Sequence, residues 1–316
     1  MTEYQIGLVG SGRVADRLGA ALLIAENVAL KPVRTPPQFI SESGLHALIV
    51  AENTPDNLIL AGAALEAGLC VFVGALAGMT LEQLIELRRA EFSANKTCLK
   101  FGFPIRHHES FMAASEFVAA EDLGPLLTAR GVYGTSQPLR DRRGAMVQHG
   151  YEMIDLLHAF AGPFETVNAM IGHQAWPVSR GEDNVMALLR THDGVMVSLH
   201  ASTTTWRHTF RLELTYANGY VWLDGLNKLG GDLGPEMLIT ARAARDESGQ
   251  LQANPPERVR EFGPRDISAA QIDEFLALVR GTRPIQHGTS QQAFDVLNTA
   301  ERILAADPTW FPPQGD

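Results

Sequence analysis

Over the first hundred residues, short apolar runs alternate with stretches in which apolar residues recur every three to four positions. The runs fall at residues 4–9, 28–33, 48–51, 70–73 and 100–103, and the helical spacing at residues 14–26 and 55–67. Thr80 opens a further helix with Gln83 three residues later, a capping-box spacing. Strands alternating with helices of this length imply a parallel sheet, because each parallel crossover needs a helix to return the chain. After Pro104 the pattern changes. A helix at 110–120 leads to a strand at 126–133, a basic loop holding Arg140, Arg142 and Arg143, and a second helix at 151–160. Alternating segments follow at 166–171, 185–189, 195–200, 210–216, 220–223 and 237–241, with short turns such as Ala217-Asn218-Gly219. They predict an antiparallel sheet with one wet face. Helices return at 267–280 and 291–305. The expected fold class is α/β plus α+β. A doubly wound parallel sheet occupies residues 1–103, and an α+β domain with a large, mostly antiparallel sheet occupies 104–316.

Length and composition agree with two soluble domains: 316 residues, 45% of them apolar. Lys plus Arg is 26 against 36 Asp plus Glu, a net charge of −10, which argues against a nucleic-acid backbone or an anionic membrane as partner. Cys70 and Cys98 each lie in an apolar run and read as buried thiols of a reducing compartment, since two cysteines make no disulfide framework. No apolar stretch is long enough to span a bilayer, and the chain opens directly on a strand, so a cytoplasmic location is expected.

The sharpest motif is Gly7-Leu-Val-Gly10-Ser-Gly12-Arg-Val-Ala15, directly after the first strand and opening the first helix. It is the G-x-G-x-x-A form of the dinucleotide fingerprint. Gly10 permits the tight turn, Gly12 lets a pyrophosphate approach the backbone, and Ala15 allows close helix–strand packing. Ser11, Arg13 and Val14 complete the loop, whose helix start offers N–H groups and a favourable dipole to phosphates. An NAD site wants an acidic residue about 20 residues on to accept from the ribose 2′-OH. This chain has Val33-Arg34-Thr35 there. A guanidinium and a hydroxyl suit a 2′-phosphate, so NADP is the expected cofactor, with NAD as the alternative.

Several segments, in order and nearly end to end, resemble the glucose–fructose oxidoreductase / inositol dehydrogenase / rhizopine-catabolism (Gfo/Idh/MocA) family. They are Ala63-Ala-Leu-Glu-Ala-Gly68, Thr80-Leu-Glu-Gln83, Phe101-Gly-Phe-Pro-Ile-Arg-His-His108, Ile154-Asp155-Leu-Leu-His158 and Asp273-Glu-Phe-Leu-Ala-Leu-Val-Arg280. The resemblance implies a Rossmann domain followed by an open-sheet domain often used for oligomerisation, hence a homodimer or homotetramer. It also implies a nicotinamide cofactor and a small sugar, cyclitol or nucleotide-sugar substrate. The family's acid/base set does not carry over. Its Glu-Lys-Pro falls on Gly74-Ala75-Leu76, and its Asp-x-x-x-His falls on Gln148 to Glu152. Its Thr-Pro after the third strand falls on Glu52-Asn53, which are then candidate cofactor contacts, and its following histidine on Asn57.

Hydride transfer still needs a group to move the hydroxyl proton. His149, Tyr151 and Glu152 are the replacement candidates, with Arg106, His107 and His108 at the end of the fifth strand. A glutamate placed like Glu152, near a helix start, is more often a carboxylate stabilising the helix dipole than a catalyst. Adjacent His107 and His108 point apart and make a poor metal pair, so no metal is expected. Arg140, Arg142 and Arg143 suit an anionic substrate or a solvated loop. Three functions compete: an NAD(P)-dependent oxidoreductase with a rearranged acid/base set, a catalytically degenerate dinucleotide-binding sensor or regulatory protein, and non-redox chemistry of the kind the family's NAD-dependent glycosidases perform.

Overall fold

The computed structural model describes residues 3–33, 37–136, 144–173, 175, 181–226 and 233–310. Its opening elements alternate as β1 (Tyr4–Val9), α1 (Gly12–Leu23), β2 (Val28–Pro32), β3 (Ala47–Val50), α2 (Pro55–Glu66), β4 (Cys70–Val73), α3 (Leu81–Ser93) and β5 (Leu99–Phe101). Then come α4 (Glu109–Ala120), β6 (Leu126–Ser136), a π-helical turn at Met146–Gly150, α5 (Tyr151–Ala161), β7 (Phe164–Gly172), β8 (Asn184–Thr191), β9 (Met196–Ser202), β10 (Thr204–Tyr216), β11 (Gly219–Asp224), β12 (Glu236–Arg242) and β13 (Arg258–Phe262). The chain closes with α6 (Ile267–Val279) and α7 (Ser290–Ala305). Strand β13 had no signal in the pattern, because four of its five residues are exposed and nothing alternates.

Two compact units result. The first takes Met1–His107 together with Asp266–Asn298, the second His108–Arg265 together with Thr299–Asp316. The division by sequence pattern put residues 266–298 in the second domain, whereas the structure packs them with the first. The reason is burial. A parallel sheet needs both faces covered, and Ile272, Phe275 and Leu276 of α6 join Ile6, Leu18, Leu22, Ile49 and Phe72 in one core.

The first unit's sheet is wholly parallel, in the order β2-β1-β3-β4-β5. Its buried strands are near-continuous apolar runs, Ala-Leu-Ile-Val in β3 and Cys-Val-Phe-Val in β4. Local chemistry starts the helices. Thr54 Oγ1 accepts from the Asn57 N–H ahead of Pro55, and Thr80 and Gln83 form the reciprocal capping box the spacing predicts. One expectation is corrected here. Cys70 and Cys98, expected as free thiols, are joined in a disulfide, because the parallel register that sets Val71 opposite Leu99 brings their Cα atoms to 4.6 Å.

The second unit is an eight-stranded sheet in the order β13-β12-β11-β10-β6-β9-β8-β7, antiparallel throughout except for the β6–β9 pair. Strand β8 shows the pattern that one covered face imposes: Val185, Ala187, Leu189 and Thr191 are buried while Met186, Leu188 and Arg190 are exposed. The helix α5 lies directly on β6, where a Cβ on Gly131 would stand 2.5 Å from Met153 Sδ. No described helix is long and apolar enough to cross a membrane.

Candidate functional site

In the first unit the strand order reverses at β1: β2 lies on one side of it and β3 on the other. Such a switch point opens a crevice at the carboxyl ends of the two central strands. Gly10-Ser11-Gly12 leaves β1 there, and Glu52-Asn53 leaves β3. Gly10 has φ +100° and Gly12 φ +83°, conformations a Cβ disfavours. The two glycines serve different ends. A Cβ on Gly10 would lie 2.7 Å from Glu52 Cβ and N, so Gly10 lets the loop close onto β3; a Cβ on Gly12 would meet nothing within 4 Å beyond its chain neighbours and its own helix backbone. The loop is therefore open at Gly12, over the start of α1.

Ser11 occupies the N-cap of α1 without capping it through its own side chain. Its N–H and hydroxyl both donate to Glu52 Oε2, at 3.1 and 3.0 Å. Asn53 faces the neighbouring loop, its Nδ2 donating to Ala75 O at 2.8 Å and Ala77 O at 3.0 Å. Asn57 Nδ2 in turn donates to Glu52 O at 2.9 Å, so both asparagines brace the crevice's backbone. Arg13 is exposed and Val14 lines the loop's other side, where a Cβ on Gly74 would meet Val14 Cγ1 at 2.9 Å. Gly74 is thus held small by α1. Arg34 and Thr35, the expected cofactor-selecting pair, lie outside the described residues, as do Arg140, Arg142 and Arg143.

His107 and His108 diverge as adjacent residues must. In the first unit His107 Nε2 lies 3.4 Å from Glu274 Oε2; in the second, His108 Nδ1 lies 2.7 Å from Glu236 Oε2. Arg106 is buried beside them in sequence. Both imidazoles are therefore engaged with carboxylates of their own units.

In the second unit the turn Met146–Gly150 and the start of α5 carry His149, Tyr151 and Glu152. A π-turn inserts a residue into the helical ladder and re-aims its side chains. His149 is buried on the sheet, its ring 4.3 Å from that of Tyr133 and its Nε2 2.9 Å from Thr135 Oγ1. Tyr151 is held in its phenol form: burial foremost, then the charges of Glu182 and Glu301, push its pKa up to about 12. Glu182 secures the segment before the turn, its Oε1 accepting from the Met146 N–H at 2.8 Å, and burial raises its own carboxyl. Glu152 stands in the first turn of α5, partly buried. The three candidates thus share one turn, while Thr135, Tyr133 and Glu182 escaped the sequence reading. Nothing in their local spacing marks them, since they reach His149 and Tyr151 across strands. Among the described residues no group of three or more His, Cys, Asp and Glu is placed to hold a metal.

A parallel sheet with a glycine loop at its switch point, joined to an open and mostly antiparallel eight-stranded sheet, defines a dinucleotide-fold protein with an appended open-sheet unit. Residues 111–222 match the family model of the GFO/IDH/MocA C-terminal domain. No curated protein sequence matches it. Solved structures of similar fold include levoglucosan dehydrogenase in complex with NADH (TM-score 0.79, 16% identity, 96% of this chain and 97% of that one). Another is the WlbA dehydrogenase from Bordetella pertussis in complex with NADH and UDP-GlcNAcA (0.76, 14%, 96% and 95%). A third is the UDP-N-acetylglucosamine 3-dehydrogenase GnnA from Acidithiobacillus ferrooxidans (0.77, 16%, 97% and 98%). At these identities the likeness is one of fold.

Proposed function

We propose that this protein is an NAD(P)-dependent oxidoreductase acting on a sugar-like or other small alcohol or carbonyl substrate. The observation that carries the reading is the loop at Gly10 and Gly12, two left-handed glycines at the switch point with open space at Gly12. Gly10, Ser11, Gly12, Arg13 and Val14 would hold the pyrophosphate side of the cofactor, with Glu52 and Asn53 beside them and Arg34 and Thr35 reading a 2′-phosphate in favour of NADP. When bound, the nicotinamide supplies or takes the hydride. The chain's own task is then the proton. Tyr151, kept protonated up to about 12, is a donor and not a base near neutral pH, which favours carbonyl reduction over alcohol oxidation. The Thr135 hydroxyl orients the His149 ring, and Glu152 is the third candidate for proton movement.

A degenerate sensor or regulatory protein is the second reading, favoured by the small, braced turn at Gly74-Ala75 where the family resemblance expects Glu-Lys. We also propose that the protein self-associates as a homodimer or homotetramer through the open sheet face, where Met170, Met186, Leu188 and Met196 are exposed. The cytoplasm, with its nicotinamide pool, is the proposed compartment. Calorimetric titration with NADPH and then NADH tests the cofactor reading. A carbonyl screen followed by loss of NADPH absorbance separates enzyme from sensor. An enzyme turns over at least one carbonyl; a sensor binds cofactor and turns over none.

A further inference from the structure

The glycine loop carries an anion of its own. Glu52 Oε2 accepts from both the N–H and the hydroxyl of Ser11, the N-cap residue of α1. The first turn of α1 has no acidic residue, and Ser11 makes no side-chain cap bond, so the positive end of this helix is met by a carboxylate reaching over from the end of β3. A pyrophosphate at a dinucleotide loop does the same work: it accepts from loop N–H groups and neutralises the helix end. Two anions cannot share that end without repulsion. The backbone of Glu52 cannot retreat independently of the loop, because Gly10 is packed to the point where a Cβ would lie 2.7 Å from Glu52 N. Its side chain can, because Glu52 and Ser11 are both exposed.

We propose that Glu52 is an internal competitor for the dinucleotide loop, occupying it in the free protein and yielding it when the pyrophosphate of a cofactor arrives. The inference rests on the dinucleotide-binding reading above and adds a determinant of affinity to it. A carboxylate that only capped α1 would alter stability and leave affinity alone. A competitor subtracts the strength of its charge-assisted hydrogen bonds from the affinity of every pyrophosphate-bearing ligand.

The test is calorimetric titration of the wild type, Glu52→Gln and Glu52→Ala with NADPH, NADH and inorganic pyrophosphate, with thermal unfolding of each protein in the absence of ligand. Glu52→Gln is nearly isosteric and guards against loss of fold in Glu52→Ala. The expected result is tighter binding in the order Ala, Gln, wild type, by about tenfold or more between the extremes, which is the size of a displaced hydrogen bond to a charged group. Pyrophosphate alone should follow the same order. Equal dinucleotide affinities in all three proteins overturn the competitor and leave the cofactor reading standing. Weaker binding by the variants also overturns it, and makes Glu52 a ligand contact. Absence of binding by all three overturns both, since removing the carboxylate must open a working loop.

Discussion

Lys100 is wholly buried on β5, and its Nζ lies 3.0 Å from Glu274 Oε2 of α6 while donating to His287 O. The other carboxylate oxygen accepts from the Gln286 and His287 N–H groups at 2.7 and 2.9 Å. This pair ties α6 and the segment before α7 to the edge of the parallel sheet. Replacing Lys100 by Met leaves a buried carboxylate with its ammonium gone; replacing Glu274 by Met strands the ammonium instead. Removing one partner of such a pair costs about 3–5 kcal/mol, whereas replacing both by apolar residues is often neutral. For a unit of this size each kcal/mol moves the unfolding midpoint by roughly 2–4 °C, so either single variant should lose on the order of 10 °C. The double variant Lys100→Met/Glu274→Met should recover most of that loss.

The pair also has a pH signature. Burial pushes the Glu274 carboxyl up, but the Lys100 ammonium and the N–H groups of His287 and Gln286 override it, and the net position is below the usual carboxylate range. A carboxylate lowered on folding contributes stability that is present above its unfolded pKa, about 4.3, and is lost as pH falls through the lower folded value. Scanning calorimetry from neutral pH down to pH 3 should therefore show the wild type losing stability more steeply on acidification than Lys100→Met. A single variant as stable as the wild type, or a double variant worse than the sum of both singles, would refute the reasoning.

Three further outcomes are expected. Gly12→Ala forces a Cβ to φ +83°, at about 1–2 kcal/mol, into the open space over α1; dinucleotide binding measured by calorimetry should be lost while the circular dichroism spectrum is retained. Tyr151→Phe should lower carbonyl reduction by ~100-fold or more with little change in cofactor affinity, and the wild-type rate should show no loss from Tyr151 ionisation below about pH 11, since the phenol stays protonated up to about 12. Leu188→Glu, on the exposed face of β8, should shift light-scattering mass toward the monomer without altering the spectrum of the fold; an unchanged oligomer would move the interface elsewhere.

Local pattern carried much of this molecule. The strand–helix alternation, the capping box at Thr80 and Gln83, the glycine loop and the one-sided burial of β8 all follow from residues a few positions apart. Those signals arise from backbone periodicity and turn chemistry, which need no knowledge of the distant chain. Contacts between distant segments were of another kind. The return of α6 to the first unit, the meeting of Lys100 with Glu274 across 174 residues and the pairing of Cys70 with Cys98 depend on sheet order and register. Glu52 is the sharpest case. From the sequence it was a candidate cofactor contact, with no sign of its bond to the loop. Only strand order placed β3 beside β1, and only the tight approach at Gly10 brought that carboxylate onto Ser11. Likewise His149 and Tyr151 were legible as candidates, but the Thr135 hydroxyl beside one and the burial that keeps the other protonated come from tertiary packing. Hydrogen-bond partners and desolvation are properties of which surfaces meet, and a linear pattern does not encode them.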